Sequence, residues 1–352
     1  MDFPINRYFS TEPQEIKTLD LCRGDNDFRK VYIVTTEEKK IVIKHCSNTF
    51  TDVNRIDGWS RLMDAYRVLG ICCPAILPGT DGQTVYRQET DRRTYFAWAE
   101  EFAPYRTAEQ IGEDTLKDAD GIAVYAPELF RLLGTVAAAK LDLMDWPSAY
   151  CLLEPFCPPD TTDEQTECAE KFVKYIKENI PRYTERAERL LELYYKVQNE
   201  LRKVYPLLPT SCFQGDLNES NLLLDDENHF VGLIDFNLCG KEPILNYTVR
   251  EALWWTDDSA LYGENQARLY FYDKALDDLR IRSFLKNMAY IGERYRFTEI
   301  EREIFPTLFR YVNSFWWHHV SAVEEAKDDD EKLEMLFDWL EKQMTREDIR
   351  LP

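Results

Sequence analysis

The chain has 352 residues, 44% hydrophobic and 30% charged, with 43 Lys and Arg against 64 Asp and Glu and a formal net charge of −21. That length suits one large domain or two lobes, and the apolar fraction, with both charge signs spread along the chain, excludes a disordered polymer. The negative balance argues against nucleic acid or an anionic membrane as the main partner, since either needs a positive footprint.

The acidic surface is compatible with a cationic small substrate, but plain solubility is the better explanation of it. The start, MDFPINRYF, has neither a basic n-region nor an apolar h-region, and no apolar run approaches the ~18 residues of a membrane helix. The nine cysteines include an adjacent pair, Cys72-Cys73, but no CxxC. Neither a zinc site nor a disulfide framework is supported, so reduced cysteines in a cytoplasmic protein are expected.

In chain order, three strands come first. Glu15 to Cys22 precedes the loop Arg23-Gly24-Asp25-Asn26-Asp27. Phe28 to Thr35 (FRKVYIVT) and Lys40 to His45 (KIVIKH) follow around a polar turn. The Gly-Asp-Asn turn tolerates positive φ, and its N–H groups can either lie over phosphates or simply close a hairpin. Lys44, beside Ile41-Val42-Ile43, either snorkels to solvent or reaches into a cleft. Residues 51 to 69 have helical spacing, with Trp59, Leu62, Met63, Tyr66 and Leu69 as the buried stripe. Ile71 to Leu77 leads back to a sheet, and Thr84–Glu89 and Thr94–Ala99 read as an antiparallel pair.

Beyond residue 102 strand signals give way to helices at about 125–144, 164–179 and 181–204, and from residue 241 to the end. The reading is therefore an α+β, bilobal chain: a β-rich N-terminal lobe over 1–102 and a mainly α-helical lobe over 103–352, with one hairpin embedded at 211–240. Chemistry carried by both lobes points to a cleft.

The stretch 211–240, SCFQGDLNESNLLLDDENHFVGLIDFNLCG, holds the most specific chemistry. Asp216 and Asn221 are separated by four residues. Two apolar runs around Asp225-Asp226-Glu227-Asn228 form a hairpin that ends at Asp235-Phe236. Two carboxylates and an amide oxygen at strand ends suit Mg²⁺ and a nucleophilic hydroxyl. Capped turns are the alternative for Asp216 and Asn221. The ordered set of Gly loop, strand lysine, connection, D-x₄-N, hairpin and D-F is more specific than any member.

That set resembles the aminoglycoside phosphotransferase/choline kinase family, which has a kinase-like fold. Its H-G-D-x-x-x-x-N loop is matched by Gln214-Gly215-Asp216-Leu217-Asn218-Glu219-Ser220-Asn221, and its metal aspartate by Leu233-Ile234-Asp235-Phe236. The resemblance implies Asp216 as catalytic base, Asn221 and Asp235 as Mg²⁺ ligands, and Lys44 with Gly24, Asp25 and Asn26 on the phosphates. It implies Glu100, Glu101 and Phe102 as the hinge where backbone groups meet adenine. Two departures stand out. Gln214 replaces a histidine, for which its amide can substitute by hydrogen bonding. The usual helix glutamate that pairs with the lysine has no counterpart over 51–69, so Asp57 is the expected partner.

The expected function is ATP- and Mg²⁺-dependent phosphorylation of a small-molecule hydroxyl, with a cationic acceptor such as an amino sugar, aminoglycoside or choline-like compound as the candidate class. GTP is open as an alternative donor. Glu219, Glu251, Trp254 and Asp257 are the acceptor candidates, pairing acidic groups with aromatic surface. No nucleic-acid or membrane partner is expected, and the chain is read as a monomer or homodimer. The competing reading is a catalytically weak or inactive nucleotide binder. A protein kinase is disfavoured, because no A-P-E segment follows Asp235.

Overall fold

A computed structural model describes residues 5–24, 26–112, 115–117, 123–255 and 274–352. The mixed architecture expected from the sequence is present: antiparallel sheet in the N-terminal part and helices in the C-terminal part. By mutual contacts the chain forms two compact units. The first comprises Met1–Ile111, Cys157–Pro159 and Gln214–Cys239; the second comprises Gly112–Phe156, Asp160–Phe213 and Gly240–Pro352.

In the first unit, strands β1 (Glu15–Asp20), β2 (Phe28–Thr35), β3 (Lys40–Ser47), β4 (Ile76–Leu77), β5 (Val85–Glu89) and β6 (Thr94–Glu101) form one sheet. The order is β1-β2-β3-β6-β4, with β5 also on β6, and every pairing is antiparallel. Alternation in β3 explains its two faces. Ile41 and Ile43 pack with Val34, Ala99, Tyr8 and Phe9 in a buried cluster. The Tyr8 hydroxyl secures that face by donating to the Ala97 carbonyl at 2.8 Å. Lys44 points to the other face, where Trp98 meets Trp59 of helix α1 (Val53–Val68) at 5.3 Å between ring centroids. The Asp52 carboxylate caps α1 by accepting the Arg55 N–H at 2.9 Å.

Strand β7 (Arg106–Thr107) leads into the short helix α2 (Ala108–Ile111). It pairs with β9 (Leu222–Leu224), which pairs with β10 (Phe230–Leu233). Two backbone bonds tie β10 to Cys72: Cys72 N–H donates to Val231 O and Leu233 N–H to Cys72 O, both at 2.9 Å. Gly232 is required there, because a Cβ would collide with the Cys72 carbonyl. These pairings explain why the hairpin groups with the first unit, whereas the sequence put residues 103–352 together. Neither the two-residue β7 nor the Cys72 pairing has a periodic signal.

The second unit contains helices α3 (Ala126–Ala139), α4 (Glu164–Asn179), α5 (Thr184–Arg202) and α6 (Ile244–Trp254). Further helices span Lys274–Gly292, Glu299–Val312, Trp317–Glu325 and Asp330–Thr345. Strands β8 (Thr210–Phe213) and β11 (Gly240–Pro243) also belong to it, and their pairing of Phe213 with Gly240 closes the base of the excursion 214–239. The charged run 327–332 spans a turn and the first residues of the last helix, which Asp329 caps. Among the described residues no helix is long and apolar enough to cross a membrane.

Candidate active site

The first unit by itself gathers Lys44, Glu100, Gln214, Asp216, Asn221 and Asp235. Lys44 is 14% exposed at its side chain, and its Nζ lies 3.0 Å from Asp235 Oδ1 and 3.1 Å from Glu100 Oε1. Burial alone would pull the ammonium down, but the two carboxylates outweigh it and hold Lys44 charged above its ordinary value. Glu100 is 3% exposed, and its Oε1 also accepts the Trp98 indole N–H at 2.7 Å. A buried carboxylate is tolerable here because both a cation and a neutral donor meet it.

Asp57, expected as the lysine partner, is exposed on α1. Glu100 takes that place. Lys44 lies opposite Trp98, and Glu100 two residues on lies opposite Val42, so the charges are diagonal neighbours on one sheet face. In sequence the signal is a lysine after Val42-Ile43 and a glutamate after Trp98-Ala99, each next to apolar strand residues. The Glu100 side chain serves the lysine, the Glu101 N–H donates to Ala75 O at 2.9 Å, and the Glu101 carboxylate accepts the Ala75 N–H at 2.9 Å. Glu100 and Glu101 thus hold strands together. Phe102 lies just past β6, 38% exposed, with the Lys40 ammonium 3.9 Å from its ring centroid.

Gln214 is the brace of the loop. Its Nε2 donates to the carbonyls of Ile234 and Asp235 at 3.0 and 2.7 Å, while its Oε1 accepts the Asp216 N–H at 2.7 Å. One amide therefore links the backbone of the two acidic segments. The link matters because Asp235 has φ +57°, a left-handed conformation that a non-glycine residue holds only when its surroundings impose it. Phe236 anchors the next position, 1% exposed and edge-on to Tyr66 of α1 at 5.4 Å. Gly215, at φ +89°, has no room for a Cβ beside the Leu238 carbonyl.

Asn221, 5% exposed, turns its Nδ2 toward Asp216, donating to the main-chain O at 2.9 Å and to Oδ2 at 3.0 Å. That orientation directs Oδ1 away from Asp216. Its main-chain carbonyl accepts the Ile234 N–H at 3.0 Å, tying D-x₄-N to the D-F segment. An amide oxygen and a carboxylate are hard donors that fit Mg²⁺, an ion that retains waters and phosphate oxygens in its shell. Among the described residues no cluster of three or more His, Cys, Asp or Glu is placed to hold a metal ion.

Gly24 and Asn26 are exposed, with Gly24 at φ +69°; Asp25 lies outside the described residues. Of the acceptor candidates, Glu219 is half-buried, with its carbonyl accepting the Glu109 N–H at 3.1 Å. Glu251 belongs to the second unit, 5% exposed, with its carboxylate accepting from Arg250 at 2.8 Å. Trp254 is 52% exposed, whereas Trp255 is buried edge-on to Tyr125. Asp257 lies outside the described residues.

The sequence matches the phosphotransferase enzyme family over residues 18–280. Among solved structures, an amicoumacin kinase, hAmiN, in complex with AMP-PNP, Ca²⁺ and Ami is similar at 15% identity and a TM-score of 0.52, covering 96% of this chain and 90% of that one. A microcompartment-associated aminopropanol kinase is similar at 13% identity and a TM-score of 0.51, covering 97% and 93%. At such identities the likeness speaks for the fold. Among curated proteins none matches the chain.

Proposed function

This chain belongs to the phosphotransferase enzyme family, and on that premise we propose that it transfers the γ-phosphoryl group of ATP, with Mg²⁺, to a hydroxyl of a small molecule. One observation carries the reading: Lys44 is ion-paired to Asp235 in the same unit in which Gln214 and Asn221 lock Asp216. Asn221 and Asp235 would hold the ion, which supplies charge neutralisation on the phosphates.

Asp216 receives the acceptor's hydroxyl proton. The acceptor oxygen forms its bond to the γ-phosphorus as the bond from that phosphorus to the bridging oxygen breaks, and ADP leaves with the electron pair. The Asn221 amide fixes the carboxylate's orientation by its bond to Oδ2. Lys44 stays cationic and offers its charge to the phosphates. Gln214 keeps Asp216 and Asp235 in mutual register.

An amine-bearing alcohol is the acceptor class we place first. The net charge of −21 is compatible with a cation, and the aminopropanol kinase is similar in fold. The reading as an inactive nucleotide binder rests on Gln214 and on the missing helix glutamate, whose place beside Lys44 Glu100 takes. The Gln214 ground weakens because the glutamine amide meets both segments that need bracing.

The test is ADP release from ATP or GTP with Mg²⁺ against a panel of amino alcohols, amino sugars and choline-like compounds, with a no-acceptor control. Acceptor-dependent release with a phosphorylated product supports the reading. Nucleotide binding without a phosphorylated product across the panel favours the binder.

A further inference from the structure

The register of the ladder makes β3 a ruler. Ile41 and Val42 lie opposite Glu101 and Glu100, near the expected adenine end. Lys44 comes two residues later, opposite Val31 on β2. Two residues further, Cys46 lies opposite Arg29. Side chains two apart on a strand share a face and stand roughly 7 Å apart. Arg29 therefore shares the face of Lys44, one step farther from Glu100–Phe102 and next to the Gly24 loop.

Arg29 is also held ready on that face. Its Nε and Nη2 donate to the two carboxylate oxygens of Asp27 at 2.7 and 2.6 Å, and its guanidinium carbon lies 5.0 Å over the Phe50 ring. The Asp27 carbonyl accepts the Arg23 N–H at 2.8 Å, closing the loop on which Asp27 sits. The two side chains are 19% and 22% exposed, and the charge of Asp235 reaches Arg29. The fork on Asp27 uses two of the guanidinium's five N–H groups, so a planar cation bound along one edge can meet a phosphate along another. The site expected from sequence does not include this residue.

We propose that Arg29 is a second phosphate-binding cation, which takes the terminal phosphate of a bound nucleoside triphosphate while Lys44 takes the inner ones. Asp27 is its positioning residue, fixing the plane of the fork. The proposal rests on reading this face as a nucleotide site, and it assigns the order adenine, Lys44, Arg29 along β3. A charge-assisted bidentate contact that exists only with the third phosphate discriminates triphosphate from diphosphate.

The experiment is calorimetric titration of the full chain with Mg²⁺ and either AMP-PNP or ADP, for wild type, Arg29→Met, Arg29→Lys and Lys44→Met. Arg29→Met is expected to weaken AMP-PNP binding about 10- to 100-fold and to change ADP binding less than about threefold. Arg29→Lys, which keeps the charge and loses the fork, should fall between. Lys44→Met should weaken both nucleotides. AMP-PNP affinity of Arg29→Met within about threefold of wild type, or an equal loss for both nucleotides, overturns the assignment of Arg29. If Arg29→Met does not fold, Arg29→Lys decides by the same comparison: a loss selective for AMP-PNP supports the assignment, and none overturns it. Wild-type protein that binds neither nucleotide overturns the underlying reading of the site, a result distinct from failure of Arg29 alone.

Discussion

Lys44 and Glu100 meet diagonally across neighbouring strands, 3.1 Å apart, although their direct opposites are Trp98 and Val42. Lys44 and Glu100 share the sheet face that carries Val42 and Trp98, and the Trp98 indole donates to the same carboxylate oxygen at 2.7 Å. The lysine's partner is thus built into the sheet, so its distance is set by strand register and not by the docking of a helix.

Glu100→Gln tests that relationship. It keeps the shape and the Trp98 bond but removes the charge, leaving Lys44 with Asp235 alone. We expect nucleotide kcat/KM to fall about 10- to 100-fold, with KM rising more than kcat falls, because the ammonium is drawn off its position. Asp57→Ala, on the exposed face of α1, should stay within about twofold. Steady-state kinetics in nucleotide checks both, and equal behaviour of the two variants would contradict the assignment.

Gln214 gives a second prediction. Gln214→Leu removes three bonds from a residue that is 1% exposed and leaves two carbonyls and one N–H without this partner. A stability loss of about 2–4 kcal/mol and a kcat drop of at least about 100-fold are expected. Gln214→His, which offers one nitrogen to accept and one to donate, should recover kcat to within about tenfold. Urea unfolding and turnover measure the two effects; a His variant as poor as the Leu variant would sink the bracing role.

A third prediction concerns acid. His45 is buried with its ring 5.1 Å from Phe28 and 5.4 Å from Tyr95, and burial, aided by the Lys30 charge, pushes its imidazole down to about 4 from the ordinary 6.5. Between those values the unfolded chain takes up a proton that the folded chain refuses. Stability is therefore full above the unfolded value and declines as pH falls toward 4, by roughly 3 kcal/mol if the whole shift is expressed. His318, pushed down to about 3 by burial, acts in the same direction. Urea unfolding at pH 7, 5.5 and 4.5 should show a shallower decline for His45→Phe than for wild type. Identical slopes would remove His45 from the account.

The strands, the hairpin and the D-x₄-N to D-F segment were legible because alternation and turn residues are local signals. Strand β2 begins and ends where its pattern does, at Phe28 and Thr35. Other features depend on contacts between segments distant in sequence. The pairing of Glu100 with Lys44 is not visible until the register with β3 is known. The burial of Glu251 beside Arg250 is likewise not visible in sequence. Gly232 looks like an ordinary strand glycine, and only the backbone of Cys72 against it shows why no larger residue fits. Arg29 carries no sequence signal of its own, because a basic residue on a short alternating strand is ordinarily a solvated one; its fork on Asp27 and its step along the ladder from Lys44 separate it from that background.

The central claim is that Asp216 acts on the acceptor's hydroxyl while Lys44, Asn221 and Asp235 serve the nucleotide end. Asp216→Asn preserves shape and removes the proton acceptor. Measured on one preparation, with the best acceptor from the panel, this variant should bind Mg²⁺ and AMP-PNP within about threefold of wild type while kcat falls at least about 1,000-fold. Turnover within about tenfold of wild type would contradict the role assigned to Asp216 and the site built around it.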